Sequence, residues 1–67
     1  MTLGERLLLL RRTQKMKQKD LARKAELTAA TISAIENDIR QPNLPTFIRI
    51  CASLNIGLDE FMEGVEL

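Results

Sequence analysis

The stretch from Gln18 to Asn37, QKDLARKAELTAATISAIEN, constrains this chain more than any other. It reads as two short helices joined by a tight turn. The first runs from Gln18 to Ala25 and carries Leu21, Ala22 and Ala25 on one face. The second runs from Ala29 to Glu36, with Ile32 and Ile35 turned inward. Between them Thr28 has the side chain to cap the exposed N–H groups of the second helix, and Leu27 can staple onto Ile32. Ala22 is small enough to let the two helices cross closely.

The chain has 67 residues, one small domain near the lower limit for folding without disulfides or metal. Hydrophobic residues are 45% of it and aromatics only 3%, so the core must be aliphatic, and the Leu, Ile and Ala that dominate it favour helices. With no His and one Cys, neither a zinc site nor an intrachain disulfide can be built, and Cys51 is expected on the core face of its helix. No apolar run approaches the roughly 18 residues of a membrane span, and the start lacks the layout of a secretory signal, so a cytoplasmic protein is expected. The net charge of +1 hides an asymmetry. Residues 1–25 carry eight bases against two acids, a balance of +6, and residues 26–67 carry two bases against seven acids, a balance of −5. That division predicts a basic face and an acidic one. For any single lysine, an ordinary solvated helix surface is the simpler reading.

The other elements follow from spacing. Leu3 to about Thr13 reads as a helix, with Thr2 as cap, Glu5 completing a capping box, and Leu3, Leu7 and Leu10 as the core stripe. Leu8 and Leu9 fall off that stripe, so they are covered either within the monomer or by another subunit. Gln14 to Lys17 is a short basic connection with Met16 turned in, and Lys17 is a poor cap for the helix that follows. Pro42 ends the loop after Asn37. Asn43 then caps a helix over Leu44 to about Leu54, in which Pro45 is tolerated in the first turn and Phe47, Ile50, Cys51 and Leu54 form the inner wall. Asn55 suits the left-handed position that ends it. A fifth helix is expected over Leu58 to about Glu63, with Leu58, Phe61 and Met62 facing in, and Gly64 breaks it ahead of a tail over 64–67. The expectation is an all-α, five-helix single domain over 1–67.

The paired helices have the helix-turn-helix layout, which offers its second helix to the DNA major groove. Gln18, Leu21-Ala22, Leu27-Thr28, Thr31-Ile32-Ser33, Glu36-Asn37, Pro42, and Leu54, Ile56, Leu58 and Glu60 at their spacing resemble the DNA-binding domain of phage repressor and Cro-like, or XRE-type, regulators. The resemblance runs from about Leu3 to Met62 without a gap. It implies a five-helix domain that binds two-fold operators as a dimer. By the resemblance, Gln18 bonds a DNA phosphate and braces the recognition helix, Arg11 and Glu36 form a structural ion pair, and Asn37 and Arg40 contact phosphates. Lys17 and Arg12 are further phosphate candidates. The outward positions of the recognition helix are Ala29, Ala30, Ser33 and Ala34, so three of the four are alanine. An alanine methyl can pack on a thymine methyl but cannot make bidentate bonds to a base. Base contact is therefore expected from Thr28, Ala29, Ala30, Ser33 and Ala34, with much of the affinity coming from phosphates.

Two further departures stand out. Glu26 and Asp38 occupy positions where relatives carry glycine, and Asp38 would set an acid near the expected phosphates. The leading reading is a sequence-specific double-stranded DNA-binding regulator, a dimeric repressor that needs no cofactor, metal or small-molecule ligand. The alternative is a protein–protein interaction module, antitoxin-like, that has kept the fold but reads DNA weakly. Without His, and with its Cys expected to be buried, the chain lacks the usual catalytic bases and thiols, so no enzymatic activity is expected. The dimer surface is expected around Phe61, Val65 and Leu67, with Leu8 and Leu9 as the other possibility.

Overall fold

A computed structural model describes residues 1–66, which form five helices: α1 (Leu3–Thr13), α2 (Gln18–Lys24), α3 (Ala29–Glu36), α4 (Leu44–Ser53) and α5 (Leu58–Phe61). Helix α3 packs against both α1 and α2, and α4 packs against α2 and α5. Leu7, Leu21, Ile32, Ile35, Ile50, Leu54 and Phe61 are fully buried where these helices meet, with Ala22, Ala25 and Cys51 between them. Phe47 sets its ring edge-on to Phe61, centroids 4.9 Å apart. Burial pushes the Cys51 thiol up from its ordinary value. None of the described helices is long and apolar enough to cross a membrane.

Local chemistry starts the first four helices. At α1 the Thr2 hydroxyl accepts from the Glu5 N–H at 3.1 Å, and the Glu5 carboxylate accepts from the Thr2 N–H at 2.7 Å. At α3 the Thr28 hydroxyl accepts from the Thr31 N–H at 3.1 Å, and at α4 the Asn43 side chain accepts from the Thr46 N–H at 2.9 Å. Lys17 has no acceptor to offer α2, so only the reciprocal half of a capping box forms there: the Asp20 carboxylate accepts from the Lys17 N–H at 3.0 Å.

The helix ends repeat one solution without glycine. After α1, α2, α3 and α4 the chain turns through Lys15, Glu26, Asp38 and Asn55, at φ of 58°, 59°, 58° and 55°. In each case the next residue donates its N–H back into the last turn: Met16 to Arg11, Leu27 to Ala22, Ile39 to Ala34 and Ile56 to Cys51. These are Schellman turns, whose left-handed position glycine usually fills. Met16, Leu27 and Ile56 then fold onto the core, whereas Ile39 stays 80% exposed. Side chains from other helices satisfy further carbonyls. Gln14 donates to the Leu54 carbonyl at 2.7 Å, Arg49 to that of Ala25 at 3.1 Å, and Arg6 to those of Phe61 at 2.8 Å and Glu60 at 2.9 Å.

The C-terminal end departs from expectation. Helix α5 has four residues and stops at Phe61, short of Glu63. Within so short a helix only one large side chain reaches the core. Phe61 takes that place under Phe47, and Leu58 in the first turn is left 40% exposed. Phe61, expected at a dimer surface, is fully buried and has no surface to give. Val65 is half-buried, and Leu67 lies outside the described residues. Of the other pair, Leu8 is half-buried and Leu9 is 45% exposed.

Candidate nucleic-acid interface

Helix α3 is held at its C-terminal end by a buried polar cluster. Arg11 Nε donates to Glu36 Oε2 at 2.6 Å and Arg11 Nη2 to Glu36 Oε1 at 3.1 Å, the fork that guanidinium geometry favours. Gln18 Nε2 donates to the same Oε1 at 3.0 Å, and Arg11 Nη1 reaches the Met16 carbonyl at 2.7 Å. One carboxylate on α3 thus ties together α1 and the start of α2. The ion pair expected between Arg11 and Glu36 is present, and so is the bracing bond from Gln18. No buried side-chain nitrogen or oxygen among the described residues lacks a partner.

A second junction lies just beyond. The Asp38 carboxylate accepts from the Thr2 hydroxyl at 2.7 Å and from the Gly4 N–H at 3.1 Å. Sequence reasoning placed this acid beside phosphates. It faces the first turn of α1, where unpaired N–H groups and the positive end of the helix dipole attract a carboxylate. Gly4 belongs to the same junction. A Cβ there would lie 2.6 Å from the Glu36 carbonyl oxygen, 2.7 Å from Asp38 Oδ1, and closer still to the Ile35 carbonyl oxygen. The last carbonyls of α3 therefore rest on bare backbone of α1, an approach that only glycine permits.

The other end of α3 faces solvent. Thr28, Ala29 and Ala30 are exposed, while Ser33 and Ala34 are half-buried. The Thr28 and Thr31 hydroxyls lie 2.9 Å apart and share a proton, which leaves one of their two protons for an outside acceptor. Thr31 carries part of the family resemblance but was not among the expected DNA contacts; its spacing three residues after a threonine cap is the signal that would have found it. Asn37 is exposed but folds its amide back on the Ser33 carbonyl at 2.8 Å, with Ser33 Oγ at 3.4 Å. The Arg40 backbone N–H is held to the Ala34 carbonyl at 3.3 Å, and its side chain is exposed. Lys17 and Arg12 are exposed as well. No hydrogen bond or ion pair ties the side chains of Arg12, Lys17 or Arg40 to another described residue. Arg6, Arg11 and Arg49, by contrast, each donate from the guanidinium to another part of the fold. Among the described residues no group of acids and cysteine is arranged to hold a metal ion.

A helix-turn-helix family model matches residues 7–61. The fold is similar to the restriction-modification controller protein C.AhdI from Aeromonas hydrophila, with a TM-score of 0.86 and 25% identity over 88% of this chain and 89% of that one. It is also similar to a point mutant of the controller protein C.Esp1396I, with a TM-score of 0.85 and 28% identity over 91% of this chain and 79% of that one. The P22 c2 repressor in complex with a synthetic operator shares the fold at a TM-score of 0.87, with 23% identity over 96% of this chain and 97% of that one. No curated protein matches the chain by sequence.

Proposed function

The chain belongs to the helix-turn-helix family of Cro/XRE-type DNA-binding regulators, and on that premise we propose that it is a sequence-specific repressor, binding a two-fold operator as a homodimer with α3 in the major groove. The observation that carries this reading is the asymmetry of α3, whose C-terminal end is locked into the fold while its first turn stands free. Thr28, Ala29 and Ala30 meet the base edges, with Ser33 and Ala34 deeper on the same side. Gln18, Lys17, Asn37, Arg40 and Arg12 serve the phosphates. For Asn37, that contact requires its amide to leave the Ser33 carbonyl or to use its second N–H. For the second copy, half-buried Val65 and, as the other possibility, Leu9 remain available, and Leu44 and Ile48, one turn apart on α4 and 65% and 46% exposed, add a further apolar candidate.

Selection of bound sites from random duplexes, followed by affinity measured against salt, tests the proposal. A two-fold consensus and a log–log slope of about −0.9 per neutralised phosphate are expected. Exposed Ile39, Leu44 and Ile48 also favour a second reading, a protein–protein interaction module. A flat salt dependence without a consensus would select that one.

A further inference from the structure

We propose that α3 reads the C5-methyl group of pyrimidines as such, so that 5-methylcytosine in the operator is bound better than cytosine. The inference rests on the DNA-binding reading above and concerns what that same helix distinguishes. Of the side chains assigned to base edges, Ala29, Ala30 and Ala34 offer only methyl groups. Ser33 Oγ is half-buried beside the Asn37 amide, and the Thr28–Thr31 pair has a single spare proton. No long polar side chain stands on the outward face of α3 to make a bidentate bond to a base.

In the major groove each base pair differs in its donors, its acceptors and the thymine C5-methyl. A face poor in hydrogen-bonding groups loses most of the first two signals and keeps the third. Cytosine methylated at C5 carries its methyl at the same ring position as thymine. An alanine surface packing on that group gains apolar contact from either base, and the few hydroxyls that remain, of Ser33 and of the Thr28–Thr31 pair, can donate to the thymine O4 or accept from the cytosine amino group, so they separate the two bases little. Methylation of an operator cytosine at such a position would then tighten binding, making the regulator responsive to the methylation state of its own site.

The test uses the wild-type protein and its selected operator. Replacing thymine by uracil, one position at a time, removes the methyl and nothing else. We expect one or two positions per half-site at which affinity falls about fourfold, the worth of one buried methyl. At those positions a 5-methylcytosine·guanine pair should bind about fourfold tighter than cytosine·guanine, for the same reason. Ala30→Gly should weaken binding to the thymine duplex and leave the uracil duplex unchanged; if the glycine variant folds poorly, Ala30→Ser, which sets a hydroxyl against the base methyl, should narrow the difference between the thymine and uracil duplexes. Equal affinity for thymine and uracil at every position, or for cytosine and 5-methylcytosine, overturns the proposal while leaving DNA binding intact. Failure to select any consensus removes the DNA reading, and this proposal with it.

Discussion

The two ends of α3 are built from different chemistry. Its C-terminal end is crossed by hydrogen bonds from Arg11 and Gln18 to Glu36, and from Thr2 and Gly4 to Asp38, all joining residues distant in the chain. Its N-terminal end has one cap, Thr28, and otherwise presents methyl groups. Under the proposed reading the contrast separates two tasks on one helix. Directional bonds at one end fix the helix axis, and a smooth surface at the other would leave reading to shape and apolar contact. A helix that reads by packing depends more on its placement than one with long adaptable side chains, because methyl groups cannot reach across a gap.

Four substitutions probe that contrast, from the largest effect to the smallest. Glu36→Ala leaves the Arg11 guanidinium buried without its partner and frees Gln18, so unfolding in urea should show a loss of about 3–5 kcal/mol. A loss under 1 kcal/mol, by the surface ion-pair standard, would mean the cluster does not fix the helix. Gly4→Ala drives a methyl into backbone carbonyls that have no rotamer to give way, and should cost about 3 kcal/mol, at the upper end for overpacking. Wild-type stability in that variant would show that α1 and α3 are not seated on one another as described.

Asp38→Asn separates a structural carboxylate from a charge near DNA. The amide retains one acceptor oxygen but sets an NH2 group among donors, so stability should fall by about 1 kcal/mol. An unchanged melting temperature combined with tighter DNA binding at low salt would return the acid to the phosphate side. The smallest change acts at the turn into the free end of α3. Glu26→Gly relieves a left-handed conformation worth about 1 kcal/mol and should raise the thermal midpoint. A lowered midpoint would mean that the glutamate side chain earns its place there by another contact.

Most of the helices were legible because their signals are local. Thr2 with Glu5, Thr28 ahead of Thr31, and Asn43 ahead of Thr46 act over three residues, and the structure shows all three caps. Of the four left-handed positions, Asn55 was anticipated as such, Glu26 and Asp38 only as places where relatives carry glycine, and Lys15 not at all. The missed signal was a polar residue followed by an apolar one after each helix: Lys15-Met16, Glu26-Leu27, Asp38-Ile39 and Asn55-Ile56. Of the candidate interface, Arg11, Gln18 and Glu36 were found through family resemblance, and the geometry joins them. Gly4, the orientation of Asp38 and the inward use of Arg6 and Arg49 were not found.

The sequence by itself determined where helices begin and turn, which apolar residues line the core, and that the outer face of Ala29–Glu36 is poor in hydrogen-bonding groups. Apolar period, cap and side-chain identity are properties of neighbours in the chain, and they survive whatever the rest of the molecule does. Only the tertiary structure decided that Asp38 would meet the first turn of α1, that Arg6 would clamp α5, and that Phe61 rather than Leu58 would go inside. Those outcomes join residues tens of positions apart, and they depend on which unpaired N–H or carbonyl the packing of helices brings within reach. A charged side chain in the sequence can serve solvent, a phosphate or a helix end, and its partner becomes fixed only when the backbone groups around it are in place.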